Sequence, residues 1–163
     1  MPERVIHPLK AALSLTAAST IVETALHVGQ EAGLLPLTVA VLDTGGHLVA
    51  LKRQDGAGIM RVEIAMGKAL AALGLGIPSR TIRDLFKERA VFQNAVAAAS
   101  GGRFVPVPGG VLILDEASEV IGAVGISGDA SDKDEYCAIA GVKAAGLASL
   151  PAEPAAEWRS APL

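Results

Sequence analysis

Two β-hairpin patterns, one in each half of the chain, most constrain what this sequence can fold into. In each, an apolar run is followed by an aspartate, a turn and a second strand, and the turns are Asp43–Gly46 and Asp115–Glu119. The strand pairs are Leu37–Leu42 with His47–Arg53, and Val111–Leu114 with Val120–Ser127. Because hairpins pair their strands antiparallel, the sequence predicts an antiparallel sheet.

Segments with helical periodicity precede, separate and follow the two hairpins. These segments are Ser14–Glu31, Ile59–Leu73, Thr81–Ala99 with a break near Ala90, and Ser131–Leu150. The order α-β-β-α-α-β-β-α predicts an α/β chain of the α+β type, in which helices flank one antiparallel sheet. We assign residues 1–150 to a single domain and residues 151–163 to a C-terminal tail, which Trp158 anchors on the surface or on a neighbouring subunit.

Length, charge and cysteine content exclude several classes of protein. A chain of 163 residues is the size of one domain, and a net charge of −3 without a basic cluster argues against a nucleic-acid partner. Cys137 is the single cysteine, which excludes an intrachain disulfide framework and a cysteine-rich zinc site. The sequence has neither a signal-peptide pattern nor an apolar run of membrane-spanning length, so we expect a cytoplasmic protein without a membrane partner.

Two cations are candidates for holding an anionic ligand. Arg53 ends the first hairpin, where its guanidinium either clamps a ligand carboxylate or pairs with Asp55. Lys68 lies on the second predicted helix, nearly opposite Met66 and Leu70. It is therefore either a solvent-exposed residue or a cation at an interface or pocket.

Two glycine-rich segments are candidates for close contact with a ligand. In the first, Pro106 stiffens the chain, while Gly109 and Gly110 let a ligand approach the backbone or simply form a tight connection. The second is the last strand of the second hairpin, which contains glycines and leads into Ser127 and Gly128. Because glycine within a strand costs stability, we expect either a helix or a ligand to press on that face.

The candidate acid and base are Asp134 and Glu135, in the first turn of the last predicted helix. The alternative is that they complement the helix dipole, with Ser131 and Asp134 forming a capping box. His27, on the polar face of the first helix, is the candidate metal ligand, and the alternative is a solvated surface histidine. No HExxH motif, catalytic-triad order or dinucleotide-binding glycine motif is present.

Four blocks of sequence together resemble the GlcG-like family, also called the HbpS-like or heme-degrading family. The blocks are, in order, VLDTGGHLVALKRQDGA, IAMGKALAALG, GGRFVPVPGGVLIL and VIGAVGISGDASDKDEYCAIAG. The resemblance implies a profilin-like α/β sandwich, a homo-oligomer that is often an octamer, and heme or tetrapyrrole binding in some members. The candidate residues that match the shared pattern are Arg53, Lys68, Pro106, Gly109, Gly110, Ser127, Gly128, Asp134 and Glu135.

Two functions of different classes follow. The first is a small-ligand-binding protein that takes heme or a related tetrapyrrole, with His27 as the metal ligand or His47 as the alternative. The second is a cofactor-independent lyase or isomerase acting on a small carboxylic acid. In that enzyme Arg53 or Lys68 would hold the carboxylate, and Asp134 or Glu135 would move protons. A third interpretation is an oligomeric accessory protein without a ligand.

We also expect a homo-oligomer larger than a dimer. Alanine, glycine and valine are abundant in the predicted helices, and small side chains permit close helix contacts between subunits. On the last helix these small residues are Ala138, Gly141 and Ala145.

Overall fold

A computed structural model describes residues 4–163 of the chain. The helices are α1 Leu15–Glu31, α2 Arg61–Leu75, α3 Ser79–Phe86, α4 Ala90–Ala99 and α5 Ser131–Ala144. The strands are β1 Thr38–Asp43, β2 Leu48–Arg53, β3 Gly110–Leu114, β4 Val120–Ser127 and β5 Ala148–Leu150. A short 3-10 turn at Trp158–Ser160 precedes the C-terminus.

The five strands form one sheet in the order β2-β1-β4-β3-β5, and every neighbouring pair is antiparallel. Helices α1 and α5 cover one face through a core that includes Ile21, Val41 and Ile126. Helix α2 covers the other face, where Leu42 and Ala123 pack against it. The prediction of an antiparallel sheet flanked by helices is therefore confirmed.

Local signals account for the helices that were predicted well. Ser14 caps α1 by accepting a hydrogen bond from the Ala17 N–H, and Gly33, with φ of +69°, follows the end of the helix. The predicted break near Ala90 is also confirmed, because α3 ends at Phe86 and α4 begins at Ala90.

The last helix is shorter than predicted. It ends at Ala144 rather than Leu150, because the chain turns at Gly146, where φ is +74°. Residues Ala148–Leu150 then pair with β3 as an edge strand. The edge of β3 presents unpaired N–H and C=O groups, and pairing with them outweighs the helix-favouring composition of this segment. The capping box is also absent, since Ala130 is the N-cap and the Asp134 carboxylate accepts from the Asp129 N–H instead.

The C-terminal tail packs against its own domain. The Trp158 ring stacks on Tyr136 of α5, with centroids 3.6 Å apart and planes 9° apart. The Arg159 guanidinium covers the Trp158 ring at 4.6 Å. Trp158 thus anchors the tail within one chain.

No single helix within residues 4–163 is long and apolar enough to cross a membrane. Helices α2 and α3 together reach that length and apolar composition, but they are bent by 76° against each other.

Candidate functional site

Two glycines bring the backbone of α2 directly onto the sheet. Gly110 and Gly125 are register partners on β3 and β4. A Cβ atom at Gly125 would lie 1.8 Å from the Ala65 carbonyl oxygen, and one at Gly110 would lie 2.1 Å from the Lys68 carbonyl oxygen. The neighbour that presses on this strand face is therefore a helix.

This close approach carries Lys68 into the interior, which excludes solvent exposure, one of the two alternatives that the sequence left open. Its Nζ lies 2.8 Å from Asp134 Oδ2, and the two residues are 2% and 0% exposed. Asp134 Oδ1 accepts from the Asp129 N–H at 3.1 Å. Gly109, with φ of +114°, leaves room for the ammonium, since a Cβ there would lie 3.0 Å from Nζ. Burial raises the pKa of Asp134 and lowers the pKa of Lys68, while each charge opposes the effect on its partner.

Arg61 completes this polar cluster, and the sequence analysis missed it. It is half-buried at the start of α2, and its Nη1 donates to Ser127 Oγ at 3.1 Å. Ser127 is fully buried at the end of β4. A signal was available, because a cation in the first turn of a helix opposes the helix dipole and needs another reason to be there.

Asp134 and Glu135 face different partners. Asp134 is engaged by Lys68 of α2, whereas Glu135 Oε1 lies 3.1 Å from Arg80 Nη1 of α3. Glu135 is fully buried, and burial raises its pKa to about 7 although Arg80 opposes the shift. Glu135 is thus suited to exchanging a proton near neutral pH, but the two carboxylates do not converge on one shared cation. Their roles as acid and base remain predictions.

The raised pKa of Glu135 predicts a pH-dependent stability. In the unfolded chain the group titrates near 4.5, so between 4.5 and about 7 the folded state holds the extra proton. This contribution to stability is fully present below 4.5 and is lost as the pH rises through about 7. Glu135→Gln should remove that loss, on the order of 3 kcal/mol, and so flatten the profile.

Urea unfolding of both proteins between about pH 4 and about pH 8 measures this difference. Glu153→Gln is the matched control, because Glu153 is an exposed partner of Lys143. Parallel profiles for the wild type and Glu135→Gln would show that Glu135 keeps an ordinary pKa.

The remaining candidate residues are spread over the molecule. Arg53 is exposed at the end of β2, Pro106 is half-buried in the loop before β3, and Gly128 packs against the Pro36 carbonyl oxygen. His27 is exposed on α1, with Nε2 3.4 Å from Glu31 Oε1. Because α1 and α2 cover opposite faces of the sheet, His27 does not lie with the Lys68 cluster. No group of three His, Cys, Asp or Glu side chains within residues 4–163 is arranged to hold a metal ion.

An apolar groove of about 310 Å³ lies beside α2. Its floor and walls include Leu42, Met60, Ile64, Met66, Gly67, Leu70 and Val105, and two charged residues, Glu63 and Arg103, also line it. A Cβ at Gly67 would lie 2.5 Å from Val105 Cγ2, so this glycine lets the loop before β3 close one wall. No sequence pattern indicates the groove, because its walls come from distant segments.

The fold and these sites define an α+β protein with a buried ion pair and an apolar groove. The chain belongs to the HbpS-like family of haem degrading proteins, whose family model matches residues 13–143.

The relatives agree with this assignment. The chain is 27% identical, over 128 residues, to an uncharacterized 15.0 kDa protein of the dhaT-dhaS intergenic region of Citrobacter freundii, covering 78% of this chain and 88% of the relative. It superposes on the PduOC:heme complex with a TM-score of 0.76 at 22% identity, covering 86% of this chain and 99% of that one. For Klebsiella pneumoniae ORFY the TM-score is 0.75 at 20% identity, covering 89% and 98%. For HbpS it is 0.70 at 23% identity, covering 88% and 97%. These similarities show that the fold is shared.

Proposed function

We propose that the protein binds heme or a related tetrapyrrole in the apolar groove beside α2. The observation that carries this proposal is the composition of the groove, which joins aliphatic walls to the two thioethers of Met60 and Met66. A flat macrocycle needs such an apolar surface, and the Arg103 guanidinium at the same groove suits its carboxylate side chains. Membership of the HbpS-like family and the structural similarity to PduOC, seen in complex with heme, support the proposal.

Two kinds of side chain are candidates for the iron ligand. The thioethers of Met60 and Met66 line the groove itself, and thioether is an established heme ligand. The imidazole of His27 is the other candidate, and it lies on the opposite face of the sheet from the groove within one chain. His27 can therefore serve the groove only from a second subunit. Cys137 is unsuited to the role, because burial raises the pKa of its thiol to about 12.

Hemin titration of groove variants tests the location. Ile64→Asp places a carboxylate on the apolar wall, and we expect it to weaken hemin binding at least about tenfold, since an unpaired charge would be desolvated by the ligand. Ile59→Asp is the matched control, because Ile59 is 77% exposed and does not line the groove. Equal hemin affinity for the wild type and Ile64→Asp would place the ligand elsewhere.

The same titration identifies the iron ligand. Met60→Leu and Met66→Leu remove a thioether at nearly constant volume, and His27→Ala removes the imidazole. Loss of the wild-type Soret shift in one of these variants assigns the iron to that residue. An unchanged spectrum in all three variants would exclude Met60, Met66 and His27 as the iron ligand.

We also propose that the protein is a homo-oligomer, and that a second copy covers α4. This helix has the sequence AVFQNAVAAA and no buried residue, and Val91 is 86% and Phe92 44% exposed. One side of α4 packs within the chain, where Phe92 contacts Phe86, but an apolar helix that leaves so much of its surface exposed is typical of a subunit interface. The predicted contact through α5 is wrong for Gly141, whose Cβ would lie 2.6 Å from the Ile21 carbonyl oxygen of α1. Those small residues pack α5 within the chain.

Val91→Asp is expected to lower the assembly state, because it places a charge in the apolar contact. Light scattering coupled to size exclusion measures the mass, with Val5→Asp as a control at a site that is also exposed. A monomeric wild type would contradict the assembly, and an unchanged mass for Val91→Asp would contradict the role of α4. The cytoplasmic location and the absence of nucleic-acid and membrane partners stay predictions.

A further inference from the structure

Arg61 is a partly desolvated cation whose hydrogen-bonding capacity is largely unused. Its Nη1 donates to Ser127 Oγ, and within residues 4–163 no carboxylate oxygen lies within ion-pair distance of the guanidinium. The nearby carboxylate of Asp134 is engaged by Lys68 and by the Asp129 N–H. A guanidinium has five N–H donors in a planar fork, so most of its donors remain available.

Thr38 supplies an unpartnered hydroxyl beside this cation. Thr38 and Ser127 are register partners on β1 and β4, so their side chains lie next to each other on one face of the sheet. It is the face that α2 covers, since Gly125, two residues before Ser127, contacts Ala65. Thr38 is 0% exposed and its Oγ1 has no hydrogen-bond partner. A buried hydroxyl without a partner is costly, and a bound acceptor would remove that cost.

Arg53, Thr38 and Ser127 form a row across three neighbouring strands, and Arg53 is the solvent-exposed end of this row. It is the register partner of Thr38 on β2, and its side chain therefore lies on the same face of the sheet. Unlike Thr38 and Ser127 it is exposed. The row therefore runs from a solvent-exposed end at Arg53 to two buried hydroxyls, of which that of Ser127 contacts Arg61.

We propose that Arg61, Thr38 and Ser127 form a binding site for a small monocarboxylate. The planar fork of Arg61 matches a carboxylate, and the two hydroxyls supply further donors. Beside the site, Lys68 and Asp134 neutralise each other, so the guanidinium of Arg61 supplies one positive charge for one negative ligand charge. This charge count favours a monocarboxylate over a dianionic phosphate.

This site is separate from the apolar groove. Arg61 contacts Ser127 of β4, and none of Arg61, Thr38 and Ser127 lines the groove. The proposal therefore does not depend on heme binding, and the two can fail independently.

Calorimetric titration with propionate tests the site. We expect saturable binding to the wild type, weaker binding of inorganic phosphate, and a loss of propionate affinity of about tenfold in Arg61→Gln and about fivefold in Thr38→Val. Thr38→Val keeps the shape of the buried side chain, so it provides a test even if Arg61→Gln folds poorly. Arg4→Gln and Thr44→Val, at exposed positions outside both proposed sites, are the matched controls and should bind as the wild type does.

Three results would overturn the proposal. The first is the absence of saturable propionate binding to the folded wild type. The second is unchanged affinity in both Arg61→Gln and Thr38→Val. The third is displacement of propionate by one equivalent of hemin, which would make these donors part of the heme site rather than a separate one.

Discussion

Replacing Gly125 by valine is expected to destabilise the protein by about 3 kcal/mol or more, because the new side chain has no room beneath α2. The Cβ alone would lie 1.8 Å from the Ala65 carbonyl oxygen, an atom that can move only if the helix moves. Lifting α2 would also open the apolar contacts that Leu42 and Ala123 make with the helix. Urea unfolding measures the loss.

A glycine in the same helix provides the control. Gly74 lies within α2, and a Cβ there would meet nothing within 4 Å. Gly74→Ala should therefore stabilise the protein by about 0.5–1 kcal/mol, since alanine is the better helix former. The account of the helix–sheet contact would be wrong if Gly125→Val were as stable as the wild type.

Breaking the Lys68–Asp134 pair is the second change with a large expected effect. Either Lys68→Met or Asp134→Asn alone should cost about 3–5 kcal/mol, because each leaves a buried charge without its partner. The double variant should be more stable than the sum of the two losses implies, since it leaves no buried charge at this position.

The two single variants should respond to pH in opposite directions. In Lys68→Met, burial holds the pKa of Asp134 above its value in the unfolded chain, so stability is lost as the pH rises through that pKa. In Asp134→Asn, burial holds the pKa of Lys68 below its unfolded value, so stability is lost as the pH falls through it. Unfolding of both variants across the pH range measures the slopes. Slopes of the same sign, or additive losses in the double variant, would contradict the buried pair.

Short-range signals in the sequence were sufficient for most of the fold. The Ser14 cap, the Gly33 stop and the turns of the two hairpins act within a few residues, and the first helix and both turns were predicted close to their observed positions. The prediction that a helix or a ligand packs against the glycines of β4 is also confirmed. At Gly125 that neighbour is α2.

The parts that sequence analysis missed depend on contacts between distant segments. Lys68 looks exposed on a helical projection, yet α2 packs so closely on Gly110 and Gly125 that its ammonium reaches Asp134, 66 positions along the chain. Arg61 was passed over for the same reason, because its partner is Ser127 on a strand that comes much later.

The edge strand β5 shows the same limit for secondary structure. The segment that follows Ala144 has helix-favouring residues, and only the open edge of β3 determines that Ala148–Leu150 becomes a strand. The groove along α2 is likewise visible only once the loop containing Val105 is placed beside Gly67.

The central claim is that the groove along α2 binds a tetrapyrrole, and a visible-absorption titration of the wild-type protein with hemin tests it most directly. The account predicts a shifted Soret band that saturates at one heme per chain, because each chain carries a groove of its own. A spectrum that changes linearly with added hemin, without saturation or a shifted band, would contradict it.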